Sequence, residues 1–138
     1  MYEKNSSDFK IAFSRFSAEE YLIEYNHPNT LIVSKGIFGL ANPSDAEYMK
    51  AKKQKEINLG FKEVDTIYSK LSLIKSFEEK NITYTDSWIV RLSVDNEVYS
   101  FIYGNAKDNN LNYFIDYMIS LSPIEIIGND GQKIQNSL

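Results

Sequence analysis

Cysteine is absent from this chain, histidine and tryptophan occur once each (His27, Trp88), and arginine occurs twice (Arg15, Arg91). Each scarcity excludes some chemistry. Without thiols there is no disulfide, no thiolate nucleophile and no Cys-based zinc site. One histidine cannot supply a His pair for zinc. It sits in Asn26-His27-Pro28-Asn29 with no carboxylate or hydroxyl spaced for a catalytic dyad, so it reads as a turn residue. Long apolar runs are missing too. Stretches such as Leu31-Ile32-Val33 and Ile126-Ile127 are far too short to cross a bilayer, and Met1–Ser7 has no apolar signal segment. A cytoplasmic location is expected. The sequons Asn5-Ser6-Ser7 and Asn81-Ile82-Thr83 are then chance matches. Thirteen Asn and thirteen Lys beside two Arg are what an AT-rich bacterial or phage genome would encode.

What is present is ordinary for a folded domain. The 138 residues are 43% hydrophobic and 25% charged, which fits one globular unit spanning 1–138 and argues against disorder. Ten Tyr, eight Phe and one Trp provide for a large core. The net charge of −4 is unevenly spread: residues 1–60 balance, whereas 61–138 carry eleven acids against seven bases. An acidic second half repels nucleic acid and anionic lipid and suits a basic protein partner. A modest negative charge that serves solubility is the simpler explanation.

Hydrophobic period gives the elements. Phe9, Ile11 and Phe13 alternate with polar neighbours and predict a strand over 8–13. Ser17-Ala18-Glu19-Glu20 has the form of a capping box and predicts a short helix over 18–25, which Asn26–Asn29 would break. A second strand begins at Leu31, with Gly36 and Gly39 marking a bend. Ser44-Asp45-Ala46-Glu47 is a second capping box and predicts a polar surface helix over 45–58. Phe61, Val64, Ile67, Tyr68, Leu71, Ile74 and Phe77 recur at three- and four-residue steps, giving the main core helix over 62–79.

The strongest segment is 88–103. Trp88, Val90, Leu92 and Val94 alternate, Asp95-Asn96 forms a two-residue turn, and Tyr99, Phe101 and Tyr103 alternate on the return. This predicts a hairpin with Leu92 opposite Tyr99, Val90 opposite Phe101 and Trp88 opposite Tyr103. A slip of one residue would turn the whole apolar set outward. Arg91, Ser93, Ser100, Ile89 and Ile102 would line a half-wet opposite face. Leu111, Phe114, Ile115, Met118 and Leu121 predict a second core helix over 111–121. Strands are expected at 124–127 and at 132–135. The fold expected is α+β: a mostly antiparallel sheet, helices on one face, and the 88–103 hairpin as its centrepiece.

No residue set rises to a catalytic, metal or cofactor signature, and none is assigned. Lys35-Gly36-Ile37-Phe38-Gly39 has an apolar interior unlike a phosphate cradle, and Asp108-Asn109-Asn110 lacks the order of a calcium loop. Lys50, Lys52, Lys53 and Lys55 would spread around a helix as a solvated face. Trp88, Tyr99, Phe101 and Tyr103 fit a core better than a ligand pocket. What is left is an acidic rim of Asp86, Asp95, Asn96, Glu97 and Asp108, expected at exposed ends of the sheet, where recognition concentrates. The reading that follows is a non-enzymatic protein-binding module, an acidic inhibitor or immunity-type protein that neutralises a basic partner such as a nuclease toxin. The alternatives are a small-molecule-binding domain or enzyme with a Tyr/Asp/Glu-lined aromatic pocket, and a homo-oligomeric structural or phage assembly protein. Neither nucleic acid nor membrane is expected as a partner.

Overall fold

A computed structural model describes residues 8–15, 20–37, 50–75, 87–95 and 97–126. Strands β1 (Phe9–Ser14), β2 (Glu20–Asn26), β3 (Thr30–Ile37) and β4 (Lys50–Asn58) precede helix α1 (Phe61–Leu73). Strands β5 (Ile89–Val94) and β6 (Glu97–Ile102) and helix α2 (Asn109–Leu121) follow. The strands form one antiparallel sheet in the order β4-β3-β2-β1-β5-β6. This is the α+β architecture the sequence predicts, with both helices on one face. The hairpin expected to be central lies instead at one end of the sheet, because β1 inserts between it and β2.

The alternation in β1 organises the sheet. Phe9, Ile11 and Phe13 lie opposite Tyr25, Ile23 and Tyr21 of β2 and opposite Val94, Leu92 and Val90 of β5. All nine are buried, and they form the floor on which Ile67, Tyr68 and Leu71 of α1 and Leu111, Phe114, Ile115 and Met118 of α2 pack. Phe9 is the hub, stacked on Tyr25 with 5.1 Å between ring centroids and meeting Phe114 edge-on at 5.4 Å. Such aromatic pairs contribute about 0.5–1.5 kcal/mol beyond the area they bury. The far face is wetter but not open throughout, since Leu22 and Ser34 are fully buried there.

Two predicted helices are strands. Residues 20–26 form β2, because Tyr21, Ile23 and Tyr25 alternate and fill the core beside β1. That pairing outweighs the capping-box pattern at 17–20, of which 17–19 lie outside the described residues. Residues 50–58 form β4, an edge of the sheet among the described residues. A strand with one neighbour can expose Lys53, Gln54, Lys55 and Glu56 while burying part of Ile57, so a nearly all-polar sequence is tolerated. The predicted positions 45–49 lie outside the described residues.

The core helix ends at Leu73, earlier than predicted, and Ile74 follows it in extended backbone with its side chain still in the core. Residues 124–126 are not a strand, although Ile124 and Ile126 are buried as alternation implies. The predicted strand at 132–135 lies outside the described residues.

Gly60 is the N-cap of α1, in extended backbone, and Glu63 closes back on it. Its N–H donates to Oε1 of Glu63 at 2.7 Å, and a Cβ at Gly60 would meet that oxygen at 2.6 Å. The turn between β2 and β3 contains a cis His27–Pro28 bond, and the Tyr25 hydroxyl donates to the Pro28 carbonyl at 2.7 Å.

Candidate partner-binding surface

The 88–103 hairpin forms in the predicted register, with Leu92 opposite Tyr99 and Val90 opposite Phe101. Tyr103 N–H donates to the Trp88 carbonyl at 2.9 Å, extending the ladder by one pair. Trp88, Phe101 and Tyr103 are buried and Tyr99 packs against the core, so these aromatics are structural. Arg91, Ser93, Ser100 and Ile102 are half-buried on the other face. Burial disfavours the Arg91 cation and lowers its pKa, the Glu20 carboxylate opposes that shift, and its Nη1 donates to Ser14 Oγ at 3.0 Å.

The acidic rim separates into parts. Asp95 sits at the hairpin tip, exposed, with φ at +53°, a left-handed conformation that Asp tolerates better than most residues. Glu97 is also exposed and accepts a hydrogen bond from the Tyr99 hydroxyl at 2.6 Å. Asp108 does something else. Its Oδ1 accepts from the Asn110 N–H at 2.9 Å, capping α2, while Oδ2 accepts from the Lys75 N–H at 2.7 Å just beyond α1. Asp108 thereby joins the end of α1 to the start of α2. Asp86 and Asn96 lie outside the described residues.

Beside the tip, β6 is an edge of the sheet among the described residues. Antiparallel pairs alternate between facing and averted backbone groups. The Tyr103–Trp88 bond fixes the phase: Glu97, Tyr99 and Phe101 face β5, while Val98, Ser100 and Ile102 turn their N–H and C=O groups outward. Sequence reasoning missed this edge because strand order follows from pairings between distant segments.

Two further features were also beyond that reading. At the opposite end of the sheet the Arg15 guanidinium lies 5.1 Å from the Trp88 ring centroid, Tyr21 lies 5.8 Å from Trp88, and Lys35 Nζ lies 5.7 Å from the Tyr21 ring. Such contacts contribute about 0.5–1 kcal/mol at exposed sites. Within this cluster the Trp88 Nε1–H is, among the described residues, the one buried side-chain donor without an acceptor. The second feature is the Tyr103 hydroxyl, which donates to Asp116 Oδ1 on α2 and ties the end of the hairpin to the helix layer. Burial pushes the Asp116 carboxyl above its ordinary value, with the Tyr103 bond pulling the other way. The Tyr103 phenol is raised, by burial first and then by Asp116.

His27 occupies the β2–β3 turn, where its backbone N–H donates to Asp8 Oδ1 at 2.6 Å. Among the described residues no three His, Asp or Glu side chains are grouped to hold a metal ion, and no helix is long and apolar enough to cross a membrane. No family model, curated protein or solved structure matches the chain.

Proposed function

We propose that the protein is a non-enzymatic protein-binding module that engages a basic partner through the acidic tip of the β5–β6 hairpin, in the manner of an inhibitor or immunity-type protein acting on a target such as a nuclease toxin. The observation that supports this reading is the exposure of Asp95 and Glu97 on a hairpin whose register is locked by core residues. Two carboxylates on a rigid mount lose little freedom on binding, and their charge speeds encounter with a positive surface. Asp108 drops out of the surface because its carboxylate already serves two backbone amides.

The test is capture from the native host at low salt, comparing the natural chain with an Asp95→Asn/Glu97→Gln variant. A basic protein should be retained by the natural chain, released by salt, and bound at least about tenfold more weakly by the variant, a loss of about 1.4 kcal/mol. Equal capture by both, or capture indifferent to salt, would overturn the reading.

A further inference from the structure

We infer that the outer edge of β6 is the two-fold interface of a homodimer, in which β6 of one copy pairs antiparallel with β6 of the other. The backbone phase selects the register. Val98, Ser100 and Ile102 carry the outward N–H and C=O groups, so these residues must form the hydrogen-bonded pairs of any added strand. Centring the axis on Ser100 uses all of them. Ser100 then faces Ser100 of the second copy, and Val98 faces Ile102 of the second copy.

The side chains agree with that register. Tyr99 falls opposite Phe101 of the second copy on the helix side, and Val98 opposite Ile102 on the far side, so apolar residues meet on both faces. Glu97 is the one charged residue of β6, and it falls opposite Tyr103 of the second copy, so no like charges meet. The two-fold axis stands perpendicular to the sheet and keeps the helices of both copies on the same face.

The other edge fails the same test. Leu59 N–H donates to the Asn29 carbonyl at 2.7 Å, which fixes the β4 phase and turns Gln54, Glu56 and Asn58 outward. A two-fold pairing centred on Glu56 sets that carboxylate against itself. Centring it on Lys55 sets Lys55 against Lys55, and centring it on Gln54 sets Lys53 against Lys55. Like charges directly opposite destabilise a strand pair. A bulge at Lys35/Gly36, with Lys35 opposite Lys53 and Gly36 opposite Ala51, further distorts that edge. In the registers that pair most of its length β4 meets like charges, whereas β6 pairs its whole length without them.

The inference goes beyond the proposed function, since it concerns a different partner and the edge of β6, which shares only Glu97 with the hairpin tip. Sedimentation equilibrium of the full chain across a wide concentration range tests it. The natural chain should reach twice the mass of one chain at high concentration. Ser100→Pro removes an outward N–H and no bond to β5, so the variant should keep its far-ultraviolet circular dichroism and sediment as a monomer. Ser100→Lys, which sets two ammonium groups face to face at the axis, gives a second reading if the proline variant does not fold. Each should weaken dimerisation by about tenfold or more, as expected when paired backbone bonds at the axis are lost. Gln54→Pro should leave the dimer intact. A natural chain that stays monomeric throughout, folded Ser100 variants that dimerise unchanged, or a dimer abolished by Gln54→Pro would each overturn the inference. A monomeric natural chain that still captures a basic protein would separate this failure from failure of the proposed function.

Discussion

The two edge strands of this sheet solve the same problem in opposite ways. β4 is nine residues long, with the sequence KAKKQKEIN, and among its described side chains Ile57 is the one packed against the core. β6 is six residues long, carries a single charge, and drives Phe101 into the centre of the fold. The first is guarded by lysines and a bulge; the second is anchored from beneath and left open at its rim. An edge protected by charge tolerates almost any core contact, whereas an unprotected edge depends on shortness and firm attachment.

The largest expected contrast comes from cutting each anchor. Phe101→Ala should cost about 3–5 kcal/mol in urea unfolding, in the range for a buried aromatic. Ile57→Ala, in a half-buried site, should cost about 2 kcal/mol or less. Equal losses would show that β4 is attached as deeply as β6.

A smaller effect concerns the clasp between Tyr103 and Asp116, which holds the end of the hairpin to α2. Tyr103→Phe leaves the half-buried carboxylate without that donor and should cost about 1–3 kcal/mol. The pH dependence has a definite sign. The folded pKa of Asp116 is raised above its ordinary value of 3.8, so the folded state holds that proton more tightly than the unfolded chain does. The contribution is complete below the unfolded value and is lost as pH rises through the folded one. The stability of the natural chain relative to Asp116→Asn should therefore fall as pH rises from about 4. Denaturation midpoints of both proteins over that rise measure it, and parallel curves would remove Asp116 as the cause.

The smallest effect is at β4. Lys53 lies directly opposite Lys35, so Lys53→Thr relieves a like-charge pair and should stabilise the fold by about 0.2–1 kcal/mol. Combined with Lys55→Thr it should also raise light scattering at high concentration, because the guard against edge pairing is gone. An unchanged solution would show that the bulge alone is sufficient.

How much of this was legible before folding depended on how far apart the partners are. The 88–103 hairpin could be read in full because its pairs are local and its alternation permits one register. The helices at 61–73 and 109–121 were legible from their stripes. β2 was misread because Tyr21-Leu22-Ile23-Glu24-Tyr25 fits both periods over so short a span, and β1 alone decides between them. β4 was misread because its lysines say only that the segment is solvated, which is equally true of a surface helix and an edge strand. Among the site residues, Asp95 was legible as a turn residue and Glu97 as its neighbour at the start of the return strand. Asp108 was not, since its ties to Lys75 and Asn110 depend on where α1 ends relative to α2.

That last joint has a consequence for how the molecule breathes. One carboxylate holds the amide of Lys75 and the amide of Asn110 at once, while Asn110 Nδ2 donates to the Leu73 carbonyl at 3.2 Å. The end of the first helix and the start of the second therefore cannot fray independently. Opening either should release the other, so hydrogen exchange at the two helix ends is expected to run as a single cooperative unit, distinct from the strands beneath them.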